Sequence, residues 1–317
     1  MMKGWTIRCL TVVFCCLGAV PMASGASDDI LRIGIRTDAP PFSYREVARD
    51  GRHTGKPAGY SVELCRQFAE VAGLRAVYVD VDTRTRFRNL GLLGDRGIDI
   101  LCGATTVTLN ILQDFDVSFY TFLTATTFMS SQGLEQILDD DEGKQIRVRY
   151  RSDTTSRPGE KRWQNDTRRQ LSRLLGVKAG RLDFLSLSSH WGAVKGLKGA
   201  AAGKGGFDLY IGDRPILSWL VKDDPSTRPL GIYVSKDVLT VQPYALILPK
   251  CSNRLLALNR FLAGMFLDQK FQRRWRERFG YDYDAGFAKL MRFQTLVPDG
   301  VKAEPRSSPC GRRNHAG

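Results

Sequence analysis

The chain has 317 residues with an ordinary composition, 43% hydrophobic and 25% charged, which is enough to build two compact domains. Its formal net charge is +14, but the basic residues are scattered along the chain, which argues against nucleic acid as a partner. The seven cysteines and three histidines show no spacing typical of a zinc site, so we expect no metal or other cofactor.

The first 26 residues have the pattern of a cleavable secretory signal peptide. Lys3 and Arg8 precede a mostly apolar run of twelve residues, and small residues follow as far as Ala26. The run is shorter than the roughly 17 residues that a membrane-spanning helix needs. We therefore expect a periplasmic protein whose mature form has a net charge of +12, with an uncleaved anchor as the alternative.

The mature chain begins with strands that alternate with helices. Residues 31–35 have the alternation of a strand, and Tyr60 opens an amphipathic helix. A second strand covers 76–81, and an arginine-rich segment with a further helical stretch leads to the apolar strand 98–102. This order predicts a mostly parallel sheet.

Residues 38–42 and 103–108 each follow a predicted strand. Ligands of such sheets collect at the carboxyl ends of the strands, so both segments are candidates for a cleft. The positive charge of the chain either keeps its surface solvated or attracts acidic solutes into this cleft.

The second half of the chain repeats the architecture without repeating the sequence. Strands are predicted at 146–150, 182–185 and 207–211, and a helix around 160–175. Residues 240–248 connect back to the first lobe, and the last regular element is amphipathic from Leu255 and ends in crowded arginines. We expect lobe 1 to contain 27–128 and 242–298, lobe 2 to contain 129–241, and the polar tail 299–317 to be disordered.

Four cysteines remain after removal of the signal, which permits two disulfides in an oxidising compartment. Cys65 and Cys102 fall in one lobe, at a helix start and a strand end, so this pair is favoured. Cys251 with Cys310 is the weaker candidate.

Six motifs occur in the order expected of one family. They are Leu31 to Tyr44, Gly59-Tyr-Ser-Val-Glu-Leu-Cys65, Asp99 to Thr108, Asp116-Val-Ser-Phe119, Asp208 to Arg214 and Tyr244 to Lys250. Together they resemble the periplasmic solute-binding proteins of polar amino acid ABC transporters (family 3), particularly the glutamate/aspartate-binding branch. The resemblance implies a type II periplasmic-binding fold, in which two α/β lobes joined by two crossing strands close over a solute. It also implies a monomer that delivers a small acidic, amino-acid-like ligand to a membrane permease.

The resemblance assigns ligand contacts to several residues. Asp213 matches the acid that pairs with the ammonium group of the ligand. Thr106 matches a residue that donates hydrogen bonds to the ligand from its hydroxyl and its amide, and Ala104 matches one whose carbonyl accepts a hydrogen bond from it. Thr154 and Thr155 precede a proline and a predicted helix, whose free amides can hold a carboxylate. The alternatives are a surface ion pair for Asp213, a turn residue for Thr106 and simple helix capping for the threonine pair.

Further matches concern the side-chain subsite of the glutamate/aspartate branch. Arg36 matches an arginine for the side-chain carboxylate, His190 matches a histidine of the second lobe, and Tyr60 matches an aromatic wall. Either Arg86 or Arg88 matches a further arginine. The alternatives are surface charges for Arg36 and His190 and an ordinary core position for Tyr60.

Ile111 is the main departure from the family pattern. Relatives have an arginine there, which binds the α-carboxylate through two hydrogen bonds. Loss of one charge-assisted hydrogen bond predicts roughly 10- to 150-fold weaker binding of an ordinary amino acid, unless another group holds the carboxylate.

Two other functions remain open. Enzymes such as dehydratases and wall-cleaving lyases share this scaffold, but the best acid/base pair is only His190 with Glu63 or Asp213. A ligand-sensing module for a membrane partner is the other alternative. The chain has no Walker-type phosphate loop, so we expect ATP to be hydrolysed by a partner.

Overall fold

The computed structural model shows a mixed α/β protein. It describes residues 30–47, 55–131, 134–139, 144–157, 167–279, 289, 290 and 294. The predicted signal peptide, the predicted tail and Cys310 lie outside these residues, so the interpretations that rest on them stay predictions.

The strands follow one another from the first described residue to residue 249. They are β1 (Ile30–Arg36), β2 (Asp38–Ala39), β3 (Ser43–Arg45), β4 (Pro57–Ala58), β5 (Arg75–Val81), β6 (Ile100–Cys102), β7 (Phe115–Ser130), β8 (Ile146–Arg151), β9 (Leu182–Leu187), β10 (Leu209–Asp213), β11 (Tyr233–Val234) and β12 (Thr240–Pro249).

The helices lie between the strands and at the C-terminal side. They are α1 (Tyr60–Val71), α2 (Leu109–Asp114), α3 (Leu134–Asp139), α4 (Thr167–Leu175), α5 (Trp191–Ala201), α6 (Arg214–Asp223), α7 (Leu255–Leu267) and α8 (Gln269–Phe279). None of the described helices is long and apolar enough to cross a lipid bilayer.

One sheet of nine strands runs through both lobes in the order β5-β1-β6-β12-β7-β10-β8-β9, with β11 beside β7. The pairs β1–β5 and β1–β6 in lobe 1, and β8–β9 and β8–β10 in lobe 2, are parallel. The central pairs that involve β7 and β12 are antiparallel. Each lobe is thus a parallel sheet, as predicted, and the two sheets are continuous through the crossing strands.

The long strands β7 and β12 cross between the lobes. Their antiparallel register runs from Thr240 beside Thr126 to Pro249 beside Phe115, with shifts near Tyr244. The lobe boundaries predicted after residues 128 and 241 fall inside these two strands. Because both strands belong to the sheets of both lobes, a bend in this ribbon changes the angle between the lobes.

Helix α1 and its disulfide anchor the first lobe. Gly59 precedes the helix with φ 122°, and a Cβ there would lie 2.3 Å from the Phe42 carbonyl oxygen, so glycine is required. The helix buries its apolar face, and Cys65 forms a disulfide with Cys102 at the end of β6. This is the pair that the sequence favoured.

Two predicted elements differ from the structure. Residues 82–97 form turns instead of containing a helical stretch, because Gly91 and Gly94 adopt positive φ, which a helix does not allow. The last amphipathic element is two helices, since the backbone is extended at Asp268 between α7 and α8.

Candidate functional site

A cavity of about 570 Å³ lies between the lobes at the carboxyl ends of their strands. Lobe 1 contributes the ends of β1 and β6, the segment after β5 and helix α2; lobe 2 contributes the turn after β8 and the junction of β10 with α6. Six of the eight predicted ligand-binding residues line it, namely Arg36, Ala104, Thr106, Thr154, Thr155 and Asp213. The fold therefore brings together residues that are far apart in the sequence.

Arg36 lies at the cavity wall and is held by a buried charge network that extends behind it. Its Nε and Nη2 donate to Asp38 Oδ1 at 3.1 and 2.7 Å, and Arg151 Nε of lobe 2 donates to Asp38 Oδ2 at 2.8 Å. Burial alone would raise the Asp38 pKa, but the two guanidinium groups hold it well below its ordinary value. The network joins the two lobes. Two of the donor groups of Arg36, which we expected to bind the ligand, instead donate to Asp38.

Arg86 lines the same cavity and has a different environment. It is 8% exposed, its Nη2 donates to the Asp153 carbonyl at 3.3 Å, and its Nε has no partner among the described residues. Burial, together with repulsion from Arg36 and Arg151, lowers its pKa to about 9. The neighbouring Arg88 also lines the cavity but is exposed, so Arg86 is the better match to the additional arginine.

Gln242 on β12 connects the threonines that we expected to bind the ligand. Its Oε1 accepts from Thr106 Oγ1 of lobe 1 and from Thr155 Oγ1 of lobe 2, both at 2.7 Å. Its Nε2 donates to Thr126 Oγ1 at 3.1 Å and to Thr240 Oγ1 at 2.9 Å. This amide bridges both lobes and the crossing strands. The sequence prediction missed it, although an amide side chain between Val241 and Pro243 in a predicted crossing strand was a detectable signal.

Thr154 and its neighbours form a turn after β8. Thr154 Oγ1 donates to the Arg151 carbonyl at 2.7 Å, and the amide of Arg157 donates to the Thr154 carbonyl at 3.2 Å. The helix start expected after Pro158 lies outside the described residues, and the described helix α4 begins at Thr167.

Asp213 ends β10 and lies half-buried at the cavity wall. Its Oδ1 accepts from Thr126 Oγ1 at 3.2 Å, and its Oδ2 accepts from the hydroxyl of Tyr244. Burial raises the pKa of this carboxyl group, although both hydrogen bonds and Arg36 act in the opposite direction. No guanidinium or ammonium group is within ion-pair distance of Asp213 among the residues that the structure describes.

Tyr60 and His190 do not line the cavity, which corrects their predicted positions. Tyr60 packs edge-on against Phe42, and its hydroxyl donates to the Thr121 carbonyl at 2.8 Å, because the first turn of α1 faces the core. His190 is buried, and its Nδ1 lies 2.8 Å from the Tyr210 hydroxyl. Burial is the main cause that lowers its pKa to about 3, so the imidazole is neutral at pH 7.

The structure does not pair His190 with either of the two candidate acids, Glu63 and Asp213. His190 contacts Tyr210, whereas Glu63 accepts hydrogen bonds from Arg66 at 2.9 and 2.7 Å on helix α1. The carboxyl group of Asp213 accepts from Thr126 and Tyr244. Within the described part of the chain, no group of histidine, cysteine and acidic side chains has the arrangement of a metal site.

Ile111 lines the cavity, so the departure from the family pattern falls inside the site. Its side chain packs in one apolar cluster with Phe87, Val107 and Phe115. The wall of the cavity is therefore apolar at the position where relatives of the resembled family have an arginine.

Comparison with known proteins agrees with this fold. The sequence profile of the bacterial extracellular solute-binding proteins, family 3, matches residues 31–280. The chain belongs to this family. No curated protein matches the chain in sequence.

Solved structures show the same fold as this family 3 chain at low sequence identity. The arginine-, lysine- and histidine-binding protein ArtJ from Geobacillus stearothermophilus is 19% identical, with a TM-score of 0.59 over 82% of this chain and 99% of that one. The ancestral amino acid-binding protein AncCDT-1, a precursor of cyclohexadienyl dehydratase, is 18% identical, with a TM-score of 0.59 over 79% and 96% of the two chains. The GluR0 ligand-binding core in complex with L-glutamate is 18% identical, with a TM-score of 0.57 over 80% and 100%.

Proposed function

We propose that this protein is a periplasmic receptor that binds a small acidic, amino-acid-like solute between its lobes and delivers it to the permease of an ABC importer. Membership of family 3 supports a ligand-binding role. The charge of the cavity region supports the acidic character of the solute.

The charge balance around the cavity is the observation that carries this proposal. Three buried arginines, Arg36, Arg86 and Arg151, lie at or directly behind the cavity wall, and the carboxyl groups that oppose them away from solvent among the described residues are those of Asp38 and Asp213. Asp114 and Asp153 also line the cavity, but both are exposed, as is Arg88. An uncompensated buried positive charge is costly, and an anionic solute would remove this cost.

The contacts between the lobes support binding by closure. Arg151 reaches Asp38, and Gln242 holds Thr106 and Thr155 around the cavity. These contacts cross from one lobe to the other at the point where a solute would be enclosed, so closure and binding would reinforce each other. Asp213 provides a carboxylate for an ammonium group of the solute.

Titration calorimetry of the mature protein with L-glutamate, L-aspartate, glutarate, succinate, L-arginine and putrescine tests the proposal. We expect saturable binding of at least one acidic compound, at least about tenfold tighter than either cation, with a smaller radius of gyration in solution scattering. Absence of saturable binding by every acidic compound, or tighter binding of a cation, would contradict the proposal.

A further inference from the structure

A second cavity of about 750 Å³ lies where helices α6 and α8 approach the crossing strand β7. It shares no lining residue with the cavity at the strand ends. Lobe 1 contributes Pro41 and the end of α8, lobe 2 contributes α6, and β7 contributes residues 123–125. We call this space the hinge cavity, and a molecule that fills it contacts both lobes and a strand that joins them.

Aromatic and aliphatic side chains form much of the lining of the hinge cavity. Trp219 of α6, Phe279 of α8 and Leu123 of β7 all line it, and Leu123 is 40% exposed. The Trp219 ring is held by two neighbours, because its centre lies 5.5 Å from that of Tyr44 in lobe 1 and 5.7 Å from that of Trp191 in lobe 2. Small-molecule sites are typically cavities of about 300 to 1,000 Å³ with apolar and aromatic linings. The hinge cavity therefore offers an aromatic surface to the hydrocarbon part of a ligand.

Three cationic side chains line the hinge cavity, namely Arg214, Lys222 and Arg278. Among the described residues, no carboxylate lies within ion-pair distance of any of them. The Nη2 of Arg214 donates to two backbone carbonyl oxygens after β11, at 2.6 and 3.3 Å, which position the guanidinium group without neutralising it. The described lining contains one acidic side chain, that of Asp223, which is exposed. The cavity thus has an excess of positive charge that favours an anion.

The polar side chains that α6 contributes to the hinge cavity lie in a row. Arg214, Ser218 and Lys222 follow one another at intervals of four residues, so they lie along one face of the helix. Trp219 precedes Lys222 by three residues and therefore lies next to this row. A carboxylate bound along the row places the group attached to it beside the Trp219 ring.

We propose that the hinge cavity is a second binding site, which takes a small aryl carboxylate. The carboxylate binds the cationic side chains of Lys222 and Arg278, and the aromatic ring packs against Trp219 and Phe279. The positive charge selects an anion, whereas the aromatic lining selects a ligand with a flat apolar body. This inference goes beyond the proposed function, because it concerns a different cavity and requires no solute at the strand ends.

Titration calorimetry of the mature protein with 2-naphthoate and 2-naphthamide tests this proposal. The two probes share one ring system, but only the first has a carboxylate. We expect saturable binding of 2-naphthoate that is at least about fivefold tighter than binding of the amide, because even one exposed ion pair corresponds to up to about fivefold in affinity.

The double variant Lys222→Met/Arg278→Met locates the binding. It removes two exposed cations of the hinge cavity, so we expect it to weaken binding of 2-naphthoate about fivefold or more and to leave 2-naphthamide within about twofold of the wild type. Lys195→Met/Arg274→Met is the matched control, because it removes the same charge at exposed positions of α5 and α8 outside the lining. Its affinity for 2-naphthoate should stay within about twofold of the wild type.

Trp219→Leu should weaken both probes, since it removes a ring against which both pack. Equal binding of the two probes by the wild type overturns the proposal, as does absence of saturable binding of 2-naphthoate. Undiminished binding of 2-naphthoate by Lys222→Met/Arg278→Met also overturns it, because the probe then binds elsewhere. None of these results affects the receptor function, whose test uses other compounds and the other cavity.

Discussion

At the scale of single residues, burial decides what each charged side chain of the site can do. Arg36 and Asp38 are close in the sequence and neutralise each other in the buried wall of the cavity. Arg36 therefore contributes less to ligand recognition than the family resemblance implies. Arg86 is also buried but has no acidic partner among the described residues. The same residue type thus forms a buried ion pair in one place and lines the cavity without an acidic partner among the described residues in the other.

His190 leads to a prediction about stability and pH. Its pKa is about 3 in the folded protein against an ordinary value of 6.5, so the unfolded chain binds a proton at a higher pH than the folded one. Its contribution to stability is complete above about pH 6.5 and decreases as the pH falls toward 3. Between pH 7.5 and pH 5 we expect a loss of about 2 kcal/mol in the free energy of unfolding from this residue.

Urea unfolding of His190→Asn at these two pH values measures that contribution. The variant should lose about 2 kcal/mol less than the wild type on acidification, because asparagine does not titrate. Tyr210→Phe is the control, since it removes the hydrogen-bond partner and keeps the imidazole buried, so its pH dependence should persist. An unchanged pH dependence in His190→Asn would show that another group is responsible.

At the scale of elements, the disulfide ties helix α1 to the end of strand β6 next to the cavity. It closes a loop with a sequence separation of 37 residues. Restriction of the unfolded chain by a loop of this size stabilises a protein by about 2 to 4 kcal/mol. The positions of Ala104 and Thr106, which follow β6 directly, depend on this anchored end.

Replacement of the two cysteines by alanine tests the stabilisation by this bond. We expect Cys65→Ala/Cys102→Ala to lower the free energy of unfolding by about 2 to 4 kcal/mol in denaturant titrations. Each single variant breaks the same bond, so the single losses should each approach that of the double variant and should not add. Additive losses, or none, would be inconsistent with a disulfide between these residues.

At the scale of the whole molecule, the crossing strands and the interlobe contacts couple the two lobes. The Asp38–Arg151 ion pair is buried and joins β2 of lobe 1 to β8 of lobe 2. Its formation requires the two lobes to approach each other. Any solute enclosed between them therefore gains from this protein contact in addition to its own contacts.

Arg151→Met should therefore weaken binding without touching the cavity wall. Loss of one charge-assisted hydrogen bond between the lobes corresponds to about 1.5 to 3 kcal/mol, so we expect the tightest acidic probe to bind about 10- to 150-fold more weakly in calorimetry. Arg149→Met is the matched control, because Arg149 lies on the same strand and its acidic partner, Asp183, belongs to the same lobe.

Asp38→Asn separates closure from simple electrostatics. It removes the same ion pair but makes the cavity region more positive, so a closure effect lowers the affinity of an acidic probe whereas an electrostatic effect raises it. Undiminished binding by both Arg151→Met and Asp38→Asn would mean that this ion pair does not contribute to closure.

The amino-acid sequence alone predicted a two-lobed fold and most of its strands, because alternating hydrophobic patterns act locally. The family resemblance of its ordered motifs pointed to six of the residues that line the cavity. The sequence also showed that Ile111 departs from the family pattern at a position that lines the cavity, and it favoured the Cys65–Cys102 disulfide. The packing of distant elements places Tyr60 and His190 in the core and lets Gln242 join both lobes. It also buries Arg86 and leaves Arg88 exposed. Burial and the pairing of distant charges depend on how separate elements pack, and no local pattern in the chain encodes them.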